Sequence, residues 1–103
     1  MAELDKVFNA GVNLKASDIH ILPQAKKLRV LFRINGDLLE QELLEKWVQK
    51  KVVSRVKILS GMNIAEHRLT QDGRMRVFHQ GKKVEFRVSC IPNAHGESIV
   101  LRI

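Results

Sequence analysis

The chain has 103 residues, 45% of them hydrophobic, with eighteen Lys and Arg against eleven Asp and Glu for a formal net charge of +7. That length supplies one hydrophobic core rather than two, and no apolar run approaches the roughly eighteen residues of a membrane span or has the layout of a signal peptide. The positive balance favours anionic partners such as phosphate, nucleic acid or an acidic protein face, but with no Tyr, one Trp and four Phe the chain is short of platforms on which bases stack.

From Glu3 to Leu14 the residues Leu4, Val7, Phe8, Gly11 and Leu14 recur at helical spacing, which predicts a short amphipathic helix with its stripe in the core. Ser17 to Leu22 alternates, Ile19 and Ile21 on one face and Asp18 and His20 on the other; this is a half-buried strand. Leu28, Val30, Phe32 and Ile34 repeat with period two while Arg29 and Arg33 share the opposite face. Asn35-Gly36 then tolerates the positive φ angles of a tight hairpin turn, so Asp37 to Gln41 is expected to return antiparallel. Between Leu43 and Ser60, Leu44, Val48, Val52, Val56 and Leu59 mark the main helix, stopped by Gly61. Its Lys46, Lys50, Lys51, Arg55 and Lys57 read as a solvated face. Gln71-Asp72-Gly73 has turn chemistry, and Met75 to Phe78, Lys82 to Cys90 and Glu97 to Ile103 read as three more strands. Helix, three strands, helix, three strands makes one α+β domain from Met1 to Ile103.

Several chemistries lack their residues. No Gly-rich run ends in Gly-Lys-Ser/Thr, so the backbone cradle for nucleotide phosphates is absent and the chain is not expected to be an enzyme on its own. His20, His67, His79, His95 and Cys90 show no paired short spacing of the kind that builds a zinc site, and no metal is expected. Cys90, in the run Val88 to Ile91, reads as a small buried hydrophobe. Asp18 and His20 share a strand face, where a carboxylate and an imidazole usually make structural hydrogen bonds rather than a catalytic pair.

The last two strands are more informative. A hairpin centred between Ala94 and His95 pairs Cys90 with Ile99, Val88 with Leu101 and Phe86 with Ile103, apolar against apolar throughout. The same register sets Arg87 opposite Arg102, a like-charge placement unfavourable by about 0.2–1 kcal/mol unless an anion joins them. A phosphate suits the pair, because guanidinium groups offer planar, bidentate donors; alternatively Glu85 or another carboxylate satisfies one of them.

The blocks Ala16-Ser17-Asp18-Ile19-His20-Ile21, Phe32-Arg33-Ile34-Asn35-Gly36, Ile64 through Arg74, Phe86-Arg87-Val88-Ser89, Ile91-Pro92, His95-Gly96-Glu97 and Ile99-Val100-Leu101-Arg102 together resemble the second N-terminal domain of the type II secretion and type IV pilus assembly ATPases (GspE/PilB-like). Leu22, Asn35 and Thr70 depart from residues frequent there. The resemblance covers nearly the whole chain and implies a PAS-like antiparallel sheet with two packing helices, residues 1–103 forming an N-terminal cap domain that ends near the linker to a RecA-like catalytic domain. It implies a cytoplasmic homohexamer at the inner membrane, working with platform or assembly proteins in type II secretion, type IV pilus assembly or DNA uptake. ATP and Mg would belong to the full-length ATPase, with none bound by this fragment alone. By motif match the nucleotide γ-phosphate contacts are Arg87 and Arg102, with Arg74 a further candidate. The rival expectations are a stand-alone PAS-like sensory or protein-binding module and, behind it, a basic nucleic-acid-binding domain; no specific nucleic acid partner is expected.

Overall fold

Strands whose side chains alternate in polarity pair into one sheet with an apolar face, and two helices cover that face. The computed structural model describes residues 2–103; Met1, where the sequence reading opened the domain, lies outside them. Helix α1 spans Ala2–Asn13, β1 Asp18–Pro23, β2 Lys27–Ile34 and β3 Asp37–Glu45; a 3-10 turn at Lys46–Val48 leads into α2, Gln49–Ser60, followed by β4 Gln71–His79, β5 Lys82–Asn93 and β6 Gly96–Arg102. The six strands lie in the order β3-β2-β1-β6-β5-β4, and every neighbouring pair is antiparallel. This is the α+β architecture expected, and among the described residues no helix is long and apolar enough to cross a membrane.

On the covered face Ile19, Ile21, Val30, Phe32, Met75, Phe86, Val88, Cys90, Ile99 and Leu101 are buried together with Leu4, Val7 and Phe8 of α1 and Val52, Val53 and Val56 of α2. Phe8 tilts onto Phe86 with ring centroids 5.4 Å apart. Gly11 lets α1 settle onto the sheet: a Cβ there would stand 2.5 Å from Ile19 Cδ1. Burial also pushes the Cys90 thiol up to about 11, so this residue behaves as the small hydrophobe its sequence suggested. The hairpin turn at Asn35-Gly36 forms with both residues at positive φ, 52° and 85°, as a two-residue connection between twisted strands requires.

Five details differ from the sequence reading. Leu43 and Leu44 belong to β3, opposite Arg29 and Leu28; the ladder with β2 runs on to Glu45, so α2 begins only after Val48 and Leu44 packs from the sheet edge. Leu14 falls just beyond α1 and is 48% exposed rather than in the core. Gln71-Asp72-Gly73 is not a turn but the start of β4, and Gly73 is needed because a Cβ would meet the Ser60 carbonyl oxygen at 2.5 Å. Strand β6 ends at Arg102, leaving Ile103 half exposed instead of paired with Phe86. Lys57, assigned to a solvated helix face, is fully buried, its ammonium 2.9 Å from Glu97 Oε1. That contact falls outside hydrogen-bonding geometry and is held by charge.

Candidate anion-binding site

The uncovered face of the sheet carries the charge. Register places Arg74 of β4 opposite Arg87 of β5, and Arg87 opposite Arg102 of β6. The hairpin pairing of Arg87 with Arg102, with Val88 against Leu101 and Cys90 against Ile99, is the one deduced from the sequence. With neighbouring strands about 4.8 Å apart, three guanidinium stems stand within about 10 Å across three strands. The same row continues through Asp18 of β1, opposite Arg102, to Arg33 of β2, opposite Asp18.

The three arginines edge a shallow groove of about 490 Å³ whose other walls include Asp72, Ser89 and Val100. A smaller depression of about 280 Å³, reaching Glu85 and Ile103, shares all three. Their partners differ. Arg102 Nε donates to Asp18 Oδ1 at 3.1 Å, and Arg74 Nη1 reaches Glu85 Oε1 only at 4.0 Å with both side chains well exposed, a contact of little strength. Among the described residues Arg87 has no ion pair and no side-chain hydrogen bond. The carboxylate in the groove, Asp72, accepts instead from Ser89 Oγ at 2.6 Å. The alternative that a carboxylate satisfies one arginine therefore holds for Arg102, through Asp18 and not Glu85, and leaves Arg87 without one.

Asp18 is 13% exposed and touches two arginines, Arg102 and, at 3.4 Å from Oδ2, Arg33 Nε. Its oxygens serve these cations and the Ser17 hydroxyl, 3.3 Å away, rather than the imidazole of His20. His20 is held below its ordinary value first by burial, with Arg33 and Arg102 acting the same way and Asp18 opposing. Sequence reasoning placed Asp18 and Arg33 on outward faces but missed that they continue the arginine row, because the pairing of β1 with β6 joins residues 84 apart.

The segment from Ile64 to Gly73 folds on itself and is pinned to the core. Glu66 Oε1 accepts from the Arg68 and Leu69 amides at 2.7 and 3.1 Å, contacts that hold the Glu66 carboxyl below its ordinary range. Gln71 exchanges hydrogen bonds with the Asn63 backbone at 2.8 and 3.0 Å, and buried Lys57 donates to the Glu66 carbonyl. Glu97 binds Lys57 through one oxygen and His67, at 3.1 Å, through the other. This segment, one of the blocks that carry the resemblance, is thus a clamp that fixes where β4, and so Arg74, begins.

Fold and face define a class: a small α+β domain with one covered, apolar sheet face and one open, basic face. The sequence profile described as Type II/IV secretion system protein matches residues 1–103, and the chain belongs to that family. It is 47% identical over 97 residues to the type II secretion system protein E of Xanthomonas campestris, covering 94% of this chain and 17% of that protein. To the type IV pilus assembly ATPase PilB of Myxococcus xanthus it is 40% identical over 94 residues, covering 90% and 17%. The chain therefore spans less than a fifth of either relative. Among solved structures, the ATPase DotB of Legionella pneumophila matches with a TM-score of 0.66 at 18% identity, covering 98% of this chain and 28% of that one, a likeness of fold.

Proposed function

We propose that this chain is the nucleotide-responsive cap domain of a hexameric secretion or pilus ATPase, and that Arg87 and Arg102, assisted by Arg74, reach the phosphates of ATP bound to a RecA-like domain of the same protein. The observation that carries the reading is Arg87: a guanidinium set between two others on one sheet face, with no carboxylate partner among the described residues. Like charges in register cost stability, and a phosphate that accepts from all three offsets that cost. Relatives named as ATPases that match at least 90% of this chain support the nucleotide as the source of that phosphate.

Among the described residues no group of three His, Cys, Asp or Glu is placed to hold a metal, so Mg would travel with ATP on the catalytic domain. What the nucleotide supplies is a concentrated negative charge that hydrolysis and phosphate release remove. The arginines respond to it mechanically. Each charge-assisted hydrogen bond contributes about 1.5–3 kcal/mol, and a differential of about 1.4 kcal/mol shifts a two-state domain equilibrium tenfold. The rigid sheet carries that pull to whatever the cap touches, in the proposed motor a neighbouring subunit or an inner-membrane assembly protein.

Arg87→Ala and Arg102→Ala in the full-length protein test this. ATP turnover is expected to fall at least about tenfold, the loss of one phosphate contact, while the thermal midpoint of this domain stays near that of the parent. Parental turnover with normal melting would remove the residues from the nucleotide site.

A further inference from the structure

The arginine row has a carboxylate in the wrong place for simple anion attraction. Asp18, nearly buried, sits at the end of three arginines that are proposed to meet a phosphate, and by Coulomb's law alone its negative charge weakens that meeting. Its geometry shows a different role. Asp18 Oδ1 takes the Nε hydrogen of Arg102 at 3.1 Å, and the two terminal Nη groups make no hydrogen bond among the described residues. Arg102 is 69% exposed, so without this contact its long side chain would sample many rotamers over solvent, and binding would have to order it.

Asp18 is itself fixed. Arg33 Nε lies 3.4 Å from its Oδ2, and Arg33 Nη1 donates at 2.9 Å to the Gly36 carbonyl in the β2–β3 turn. The Ser17 amide donates to the Arg33 carbonyl at 2.9 Å, and the Ile103 amide to the Ser17 carbonyl at 3.0 Å, so the start of β1 is tied on both sides. The result is a chain of polar contacts from the β2–β3 turn through Arg33 and Asp18 to Arg102 at the groove.

Resting on the nucleotide reading above, we infer that Asp18 is a positioning residue, which holds Arg102 by its Nε so that both Nη groups face the phosphate, and that Arg33 holds Asp18. The arrangement is that of an outer-shell carboxylate that orients the group making the contact; in metal sites the loss of such a partner costs about 10–100-fold in affinity, and a weaker, singly bonded case as here is expected at the lower end.

The sign of the effect decides the matter. In the full-length protein, equilibrium binding of a fluorescent ATP analogue to Asp18→Asn should weaken by about tenfold, although the variant is more positive by one charge. Arg33→Gln should weaken binding in the same direction by a smaller factor, and Asp18→Glu should recover part of the loss. If Asp18 merely opposes the anion, Asp18→Asn binds tighter; if it merely joins strands, the thermal midpoint falls and affinity of the folded fraction is unchanged. Either result overturns the inference. Should Asp18→Asn not fold, Arg33→Gln alone carries the test, and unchanged affinity in it counts against the role. Arg87→Ala in the same assay separates the two levels: an unaltered affinity there removes the nucleotide reading itself, whereas weakened binding in Arg87→Ala beside unchanged binding in Asp18→Asn removes only the positioning role.

Discussion

The two faces of this sheet are built from the same strands and differ in almost everything else. On the covered face, Phe86, Met75, Val30 and Leu101 are buried to completion, and α2 covers a buried ion pair, Lys57 with Glu97, whose second oxygen reaches the exposed His67. On the open face, charge is laid out in a row, with Arg87 unpaired among the described residues and Arg102 and Arg33 sharing Asp18. The contrast teaches that alternation along a strand separates two tasks: residues of one parity hold the fold, and those of the other are free to be energetically unfavourable in isolation. Substitutions on the covered face should therefore change stability, and those on the open face should change function with little change in stability.

The largest effect is expected where that division is crossed. Lys57→Ala leaves the buried Glu97 carboxylate without its cation, and removing one partner of a buried pair costs about 3–5 kcal/mol; denaturant unfolding should show it. Lys57→Met combined with Glu97→Gln should recover most of the loss. A midpoint unmoved by Lys57→Ala would mean that the cluster is solvated and the covered face less dry than described.

Smaller losses follow on the same face. Val52→Ala removes two methyl groups from a site that is 1% exposed and should cost about 1–3 kcal/mol. Gly73→Ala forces the new Cβ against the Ser60 carbonyl, a backbone atom that cannot turn aside, for about 1–3 kcal/mol. By contrast Arg74→Ala, on the open face, should stay within about 0.5 kcal/mol of the parent. If Arg74→Ala destabilised as much as Val52→Ala, the separation of tasks would fail.

The gentlest probe is pH. His20 is held below its ordinary 6.5, chiefly by burial, so the unfolded chain takes up its proton first as pH falls. The stability His20 contributes is then complete above 6.5 and is lost as pH drops through the lower folded value. Thermal midpoints should decline as pH falls below about 6.5, and His20→Gln should flatten that part of the profile. An identical profile in the variant would assign the decline to other groups.

Much of this layout was legible in the residues. Period-two alternation gave both faces of β1, β2, β5 and β6, and matching apolar residues across the last hairpin gave its register to the residue, with Arg87 against Arg102. What failed did so for physical reasons. Leu44 satisfies helical spacing with Val48 as well as it satisfies a strand, and only the long ladder with β2 decides between them. Lys57 resembles its exposed neighbours until Glu97, forty residues on, is folded beneath it. Asp18 and Arg33 were placed on outward faces, but their joining to Arg102 depends on β1 lying between β2 and β6, a long-range pairing that no local pattern encodes.

If the open face answers to nucleotide, this domain moves toward the catalytic portion when ATP binds. A donor dye at exposed position 83 and an acceptor on the RecA-like portion of the full-length protein would report the approach of this domain by energy transfer. A non-hydrolysable ATP analogue should raise transfer in the parent and leave it unchanged in Arg87→Ala; an equal rise in both proteins would mean that the arginine row does not sense nucleotide.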